Sequence, residues 1–381
     1  MADTHPSRLW AADFLRVAAI GLVAWYHIWQ QSWLNPGFWV GHCYINLQQV
    51  VRNGYLMVDI LLVLSGFLLA LLHCENNSSV SPLPFYRRRF FRIYPSYFLI
   101  LVLSLLFQIL PQGLYSSAGE CIGDVFAHLT FTHNLFFRSY FSTPFTGVLW
   151  TLAVEVQFYL LFPLIACFFR RRPMRSCVVL CLIAWAYRAY IYFYSPTAMY
   201  VNQLPAMLDA FAAGMAAAWI YTRLRTRKFH SAHFILFAIL TAVSFALLLQ
   251  LLYWQTLGDQ TTVHRGQLLI RFPLAVIAAA FLLFGSLLPA KTSRILGNRV
   301  TVFLSGITYN FYLWHQFIAL WLKQIHIPAY TNELPNQAGE QPWQIQYTLL
   351  CFAVTLIWSI LLTYLIEKPF TRFGRKTTPP S

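Results

Sequence analysis

The chain has 381 residues, of which 58% are hydrophobic and only 10% charged. A soluble domain is about 25% charged, so this composition excludes an ordinary soluble enzyme and points to a membrane protein. The formal charge of +15 would suit a nucleic-acid partner, but its placement along the chain explains it without one.

Segments of about 20 apolar residues are needed to span a bilayer. Ten can be placed, at 9–31, 54–73, 93–110, 146–168, 176–194, 204–221, 232–252, 267–288, 303–325 and 346–366. No period-two alternation supports a β-barrel, and the first segment is too long and its flanks too polar for a signal peptide. The expected fold is an all-α membrane bundle of about ten transmembrane helices. With the N-terminus inside, 20 of the 27 Lys and Arg fall in inside segments and 3 in outside loops. That bias predicts that both termini are cytoplasmic. Residues 1–370 then form one integral-membrane domain, and 371–381 a short basic, Pro-ended tail.

The first segment carries Asp13, Arg16 and His27 within an apolar run. A charge at membrane depth costs at least ~2.5 kcal/mol, so such residues are read as functional or paired. Arg16 and His27 are eleven residues apart, within ~20° of three full turns, so they share a helix face about 16 Å apart along the axis. The bland alternative is an Arg snorkelling to one interface and a His in the opposite headgroup zone.

In chain order, Trp33, Trp39 and Tyr44 suit an interfacial belt. The second segment carries Asp59, which is either interfacial or functional, and Ser65-Gly66, a small pair that permits close helix approach. PFYRRRFFRIYP follows. Arg89 and Arg92 share a helix face and, backed by Tyr94 and Pro95, suit an anionic phosphate ligand; orientation bias alone also explains them. Loop 111–145 is long, amphipathic in part, and contains His128 and His133, either acceptor-binding or merely interfacial.

The fourth segment buries Glu155, with Gln157 and Tyr159 on the same helix. A carboxylate about 13 Å below the surface needs a cationic or hydrogen-bonding partner, and His27, Arg16, Arg188 and Arg271 are the candidates. A Glu beside a His fixes its tautomer and raises its basicity, as general-base chemistry requires. Asp209 sits among small residues in the sixth segment. The ninth carries Tyr309, Asn310 and His315, the last either functional or a satisfied core histidine. Near the end, Glu367 is placed to pair with an inside arginine. The seven cysteines show no metal spacing; Cys43 and Cys121 both fall in outside loops, where a disulfide is feasible. No P-loop, GxGxxG or GxSxG motif is present.

Taken together, these residues resemble the acyltransferase-3 family of multi-spanning bacterial membrane acyltransferases. Six motifs carry the resemblance in order: Arg16 with His27; Ser65 to Leu68; Arg89, Arg92, Ile93 and Pro95; Leu149 to Pro163 with Glu155; Tyr309 through His315; and Glu367 to Phe370. Thr151, Val156 and Met207 depart from residues often found there. The resemblance implies transfer of an acyl group, most often acetyl, from cytoplasmic acyl-CoA to a sugar hydroxyl of a surface glycan or lipid-linked sugar, without a metal. It implies His27, Arg16 and Glu155 as catalytic, with Glu155 orienting His27. Arg89, Arg92 and Tyr94 would bind CoA, and Asp59, Ser65, Tyr309, His315 and Glu367 would support. It further implies a bacterial plasma-membrane location and a stand-alone form, since many relatives fuse an esterase-like domain. The competing expectation is a transporter in which Arg16, His27 and Glu155 line a path through a protein solvated by membrane lipid.

Overall fold

The computed structural model describes residues 8–76, 80–195, 197–255, 258–330, 334–337 and 339–376. It is a helical bundle: α1 Trp10–Ser32, α2 Gln48–Arg52, α3 Met57–Asn76, α4 Pro82–Ser104, α5 Ala118–Leu129, α6 Phe137–Phe141, α7 Leu149–Arg171 and α8 Pro173–Tyr194. The second half runs α9 Ala198–Val201, α10 Leu208–Leu224, α11 Ser231–Trp254, α12 Gln260–Ser286, α13 Ala290–Ser293, α14 Arg299–Gln324, α15 Gln341–Leu362 and α16 Lys368–Lys376. The one sheet among the described residues is an antiparallel hairpin after α1, β1 Gly37–Val40 with β2 Cys43–Asn46.

Nine helices among the described residues are long and apolar enough to cross a membrane. The segment expected at 303–325 is the helix α14, but Tyr309, Asn310, His315 and Gln316 dilute its apolar character and it is not among the nine. α4 begins at Pro82, not at 93. Arg87, Arg88, Arg89 and Arg92 therefore stand on a helix rather than in a loop. Pro82 lies in the first turn, where a missing N–H is harmless, and the helix runs on past the apolar stretch that hydropathy detects.

Two glycines set the tightest packing. A Cβ on Gly66 would lie 2.2 Å from the Phe211 carbonyl oxygen, and one on Gly214 2.0 Å from that of Val63. Backbone of α3 therefore rests on backbone of α10, the close approach that small residues permit in membranes. α1 is held among α3, α12, α14 and α15, so its polar residues face protein on several sides.

α16 includes residues 371–376 of the expected tail; Phe373 meets Phe91 edge-on, ring centroids 5.3 Å apart. Residues 377–381 lie outside the described set. Cys43 and Cys121 are free thiols, not a disulfide.

Candidate active site

A cavity of about 560 Å³ opens among the ends of α1, α3, α4 and α10 and runs into the bundle. Its outer wall carries Arg8, Glu75, Arg89, Arg92 and Arg225; deeper lie Arg16, Ser65, Glu155, Tyr159 and Tyr309, and at its inner end Thr151 and Tyr312. Arg8 pairs with Asp13 at 2.6 Å, and Arg225 pairs with Glu75. Among the described residues, Arg16, Arg89 and Arg92 have no carboxylate within salt-bridge distance. Arg16 donates to Ser305 Oγ at 3.3 Å, and that hydroxyl donates to Asp13 at 2.6 Å. The Arg89 guanidinium lies over the Tyr159 ring, 4.8 Å from its centroid. Glu155 stands among them, but the arginines of the cavity outnumber its carboxylates, a setting suited to phosphate oxygens.

Glu155 is not beside His27. Its Oε1 accepts from Ser65 Oγ at 3.1 Å and from the Tyr159 hydroxyl, and Ser65 Oγ also lies 3.1 Å from the Tyr159 hydroxyl. The i, i+4 spacing of Glu155 and Tyr159 puts both on the cavity face of α7. Gln157, between them, points elsewhere and donates to the Phe131 carbonyl and to Asn134. The expected Glu155–His27 pairing fails because α3, not α1, covers that face of α7 at this depth.

The partner of His27 is His315. His315 Nδ1 lies 2.6 Å from the Tyr312 carbonyl oxygen, which only accepts, so Nδ1 carries the proton. His315 Nε2 is then an acceptor, 3.0 Å from His27 Nδ1, which also lies 3.0 Å from the Val23 carbonyl oxygen. Both neighbours accept, so His27 Nδ1 bears the hydrogen and His27 Nε2 keeps the free lone pair. This assignment follows from the network, as tautomers must. His315 is fully buried and His27 half-buried.

His27 does not line the cavity. The cavity ends one turn short, where the Tyr312 hydroxyl lies 2.6 Å from Thr151 Oγ1, which itself donates to the Val148 carbonyl at 2.9 Å. Arg16 and Glu155 line the cavity and His27 does not, so the single path of the transporter expectation is interrupted. Arg16 also stands about 16 Å along α1 from His27, too far for the two to act on one atom.

Other expected residues have structural partners. Asp59 is buried against Arg271 at 3.3 Å, outside the cavity wall. Arg188 pairs with Asp209. Tyr94 does not line the cavity; it stacks on Phe90, ring centroids 4.7 Å apart. Tyr309 donates to the Ile93 carbonyl at 2.7 Å, and Glu367 accepts from Asn310 at 2.8 Å rather than from an arginine. His128 and His133 are buried and stacked, ring centroids 4.1 Å apart, so neither is open to an acceptor. Burial pushes the nearby Asp124 carboxyl up, but His128, Thr143 and Tyr115 together hold it below its ordinary value. Burial, aided by His128, pushes the His133 imidazole down to about 3. Asp13, read from the sequence as functional or paired, is paired with Arg8; Thr151 and Tyr312 fall inside the matched motifs without a role of their own, and Ser305 has no signal in the sequence.

A family model described as an acyltransferase domain, acyltransferase-3, matches residues 9–364. The chain belongs to the acyltransferase-3 family. It is similar to the O-acetyltransferase OatA of Staphylococcus aureus (strain NCTC 8325 / PS 47), 26% identical over 349 residues, covering 85% of this chain and 53% of that protein. It is similar to the peptidoglycan O-acetyltransferase OatA of Listeria monocytogenes serovar 1/2a, 26% identical over 385 residues, covering 95% and 56%. A putative acetyltransferase ORF330 of Acidianus two-tailed virus is 28% identical over 325 residues, covering 84% and 87%. The chain thus spans about half the length of the OatA proteins it matches. No solved structure matches it. With nine helices among its described residues long and apolar enough to cross a membrane, this chain is a multi-pass membrane protein.

Proposed function

We propose that this acyltransferase-3 protein is a membrane O-acetyltransferase that moves acetyl from cytoplasmic acetyl-CoA to a sugar hydroxyl of a cell-envelope glycan. The supporting observation is the cavity in which Arg16, Arg89 and Arg92 have no carboxylate within salt-bridge distance and which ends at Tyr312 and Thr151, one turn from the His27–His315 pair. In this reading α14 crosses the bilayer as a tenth span. Both termini are cytoplasmic, and the membrane is the bacterial plasma membrane. The domain at 1–370 is the catalytic unit.

Arg89 and Arg92 bind the CoA phosphates at the arginine-rich mouth. Arg16, too distant to polarise the carbonyl, guides the donor arm inward. Glu155 holds Ser65 and Tyr159 in the wall and moderates the surrounding positive charge. At the inner end the Tyr312 hydroxyl, turned from Thr151 Oγ1, supplies a donor for the developing oxyanion, while Thr151 keeps its hydrogen on the Val148 carbonyl. His27 Nε2 takes the proton from the acceptor hydroxyl, the oxygen forms the new ester bond, the carbon–sulfur bond breaks, and the thiolate regains a proton from His27. His315 Nε2 holds the imidazolium through His27 Nδ1–H. Peptidoglycan is the acceptor named for the Listeria relative and the first to try.

The test is transfer of label from [acetyl-¹⁴C]acetyl-CoA to purified envelope glycan by the reconstituted protein. Label in an alkali-labile ester, lost with His27→Ala, is the expected result. Full transfer by His27→Ala would end this assignment.

A further inference from the structure

A second opening, distinct from the acyl-transfer cavity, lies between α7 and α8. The two helices are joined by Arg172 alone and touch, and a crevice of about 620 Å³ forms near the joint. Arg171, Arg172 and Arg175 rim it; Phe168, Val179 and Leu180 line it farther in. The three arginines are exposed and, among the described residues, none has a carboxylate partner. Arg225 with Glu75 and Arg8 with Asp13 do have carboxylate partners, whereas Arg227, Arg294 and Arg299 make no ion pair among the described residues, so it is the apolar crevice beside them that sets Arg171, Arg172 and Arg175 apart.

We propose that this crevice binds one anionic phospholipid, with its headgroup phosphate on Arg171, Arg172 and Arg175 and an acyl chain against Phe168, Val179 and Leu180. Guanidinium forks match phosphate oxygens in bidentate geometry. Pro173 brings no N–H, but the first-turn N–H groups of Met174 and Arg175 add to the same anion site, since Arg172 offers no side-chain cap there and the helix dipole favours negative charge. The apolar wall is equally informative. Phe168 is 57% exposed and Val179 53%, and Ile165 extends the wall about 9 Å from Arg171 into the span. A free phosphate would satisfy the rim and leave this wall bare, whereas a lipid covers both. Basic pockets between helices at the membrane surface take anionic headgroups in this way. Orientation bias requires arginines on one side of the membrane, but it does not place three of them around an apolar crevice. The site requires a surrounding bilayer and does not depend on acyl transfer.

The experiment is native mass spectrometry of the full chain released from vesicles of phosphatidylglycerol in phosphatidylcholine. Arg171→Gln/Arg172→Gln/Arg175→Gln should lower retained phosphatidylglycerol about tenfold. A control with the same charge loss, Arg227→Gln/Arg294→Gln/Arg299→Gln, should change it less than about twofold. Val179→Trp, which fills the wall and keeps the rim, should also lower retention, and millimolar inorganic phosphate should not displace the lipid. Equal losses in the triple variant and its control would overturn the proposal in favour of diffuse surface attraction. So would full retention by Val179→Trp, or displacement by phosphate. Each variant is compared only where its elution as a monodisperse folded species matches the parent, and Val179→Trp alone suffices if the triple variant fails this.

Discussion

His315 Nε2 lies 3.0 Å from His27 Nδ1, and because His315 Nδ1 is committed to the Tyr312 carbonyl, the contact fixes which nitrogen of His27 is free. The half-buried ring of α1 is thereby presented Nε2-first by a fully buried ring of α14. Positioning of this kind predicts a graded response. His27→Ala should lower kcat for acetyl transfer by about 10²–10⁴, the usual contribution of a general base. His315→Leu should lower kcat by roughly 10–10² with little change in KM for acetyl-CoA, and His315→Gln, which can still accept a hydrogen bond, should recover part of it. A purely structural His315 would instead lower the amount of folded protein and leave kcat per folded molecule unchanged.

Arg89 and Arg92 predict the opposite kinetic pattern. Each guanidinium–phosphate contact contributes about 1.5–3 kcal/mol, so Arg89→Gln or Arg92→Gln should raise KM for acetyl-CoA about 10- to 100-fold while kcat stays near the parent value. The effect should shrink when the donor is a truncated acetyl-pantetheine thioester without the nucleotide phosphates. Steady-state kinetics with the two donors decides it.

The α3–α10 contact predicts a stability defect away from the site. Gly214→Ala would place a methyl 2.0 Å from the Val63 carbonyl oxygen, so the helices must move apart. Overpacking of this kind costs about 1–3 kcal/mol. Thermal unfolding of the detergent-solubilised protein should show a lowered Tm, with Gly306→Ala, where a Cβ meets nothing within 4 Å, as the matched control.

A pH dependence follows from His133. Its folded imidazole titrates at about 3, below the ordinary value of 6.5. Above pH 6.5 both folded and unfolded states are neutral there and the stability is full. As pH falls from 6.5 towards 3 the unfolded chain takes a proton that the folded one refuses, and stability drops by up to about 1.4 kcal/mol per pH unit. The depressed Asp124 carboxyl acts in the same direction, but at lower pH, where its unfolded form begins to protonate. His133→Phe keeps a ring to stack on His128 and removes the titration. Its Tm should vary less between pH 6.5 and 4.5 than that of the parent, as read by thermal unfolding at several pH values.

The sequence by itself determined the helical membrane class and the family, because apolar runs and motif order are properties of the chain alone. It also placed Arg16 and His27 on one face of α1, since helical rise and twist are local and do not depend on neighbours. Local geometry cannot say which helix covers which face. Only the tertiary structure decided that Glu155 meets Ser65 and Tyr159, that His27 meets His315, and that Asp59 is neutralised by Arg271 instead of serving the cavity. The same limit hid Tyr312 and Thr151: each hydroxyl is ordinary in sequence, and their 2.6 Å contact at the end of the cavity arises only when α7 and α14 pack together.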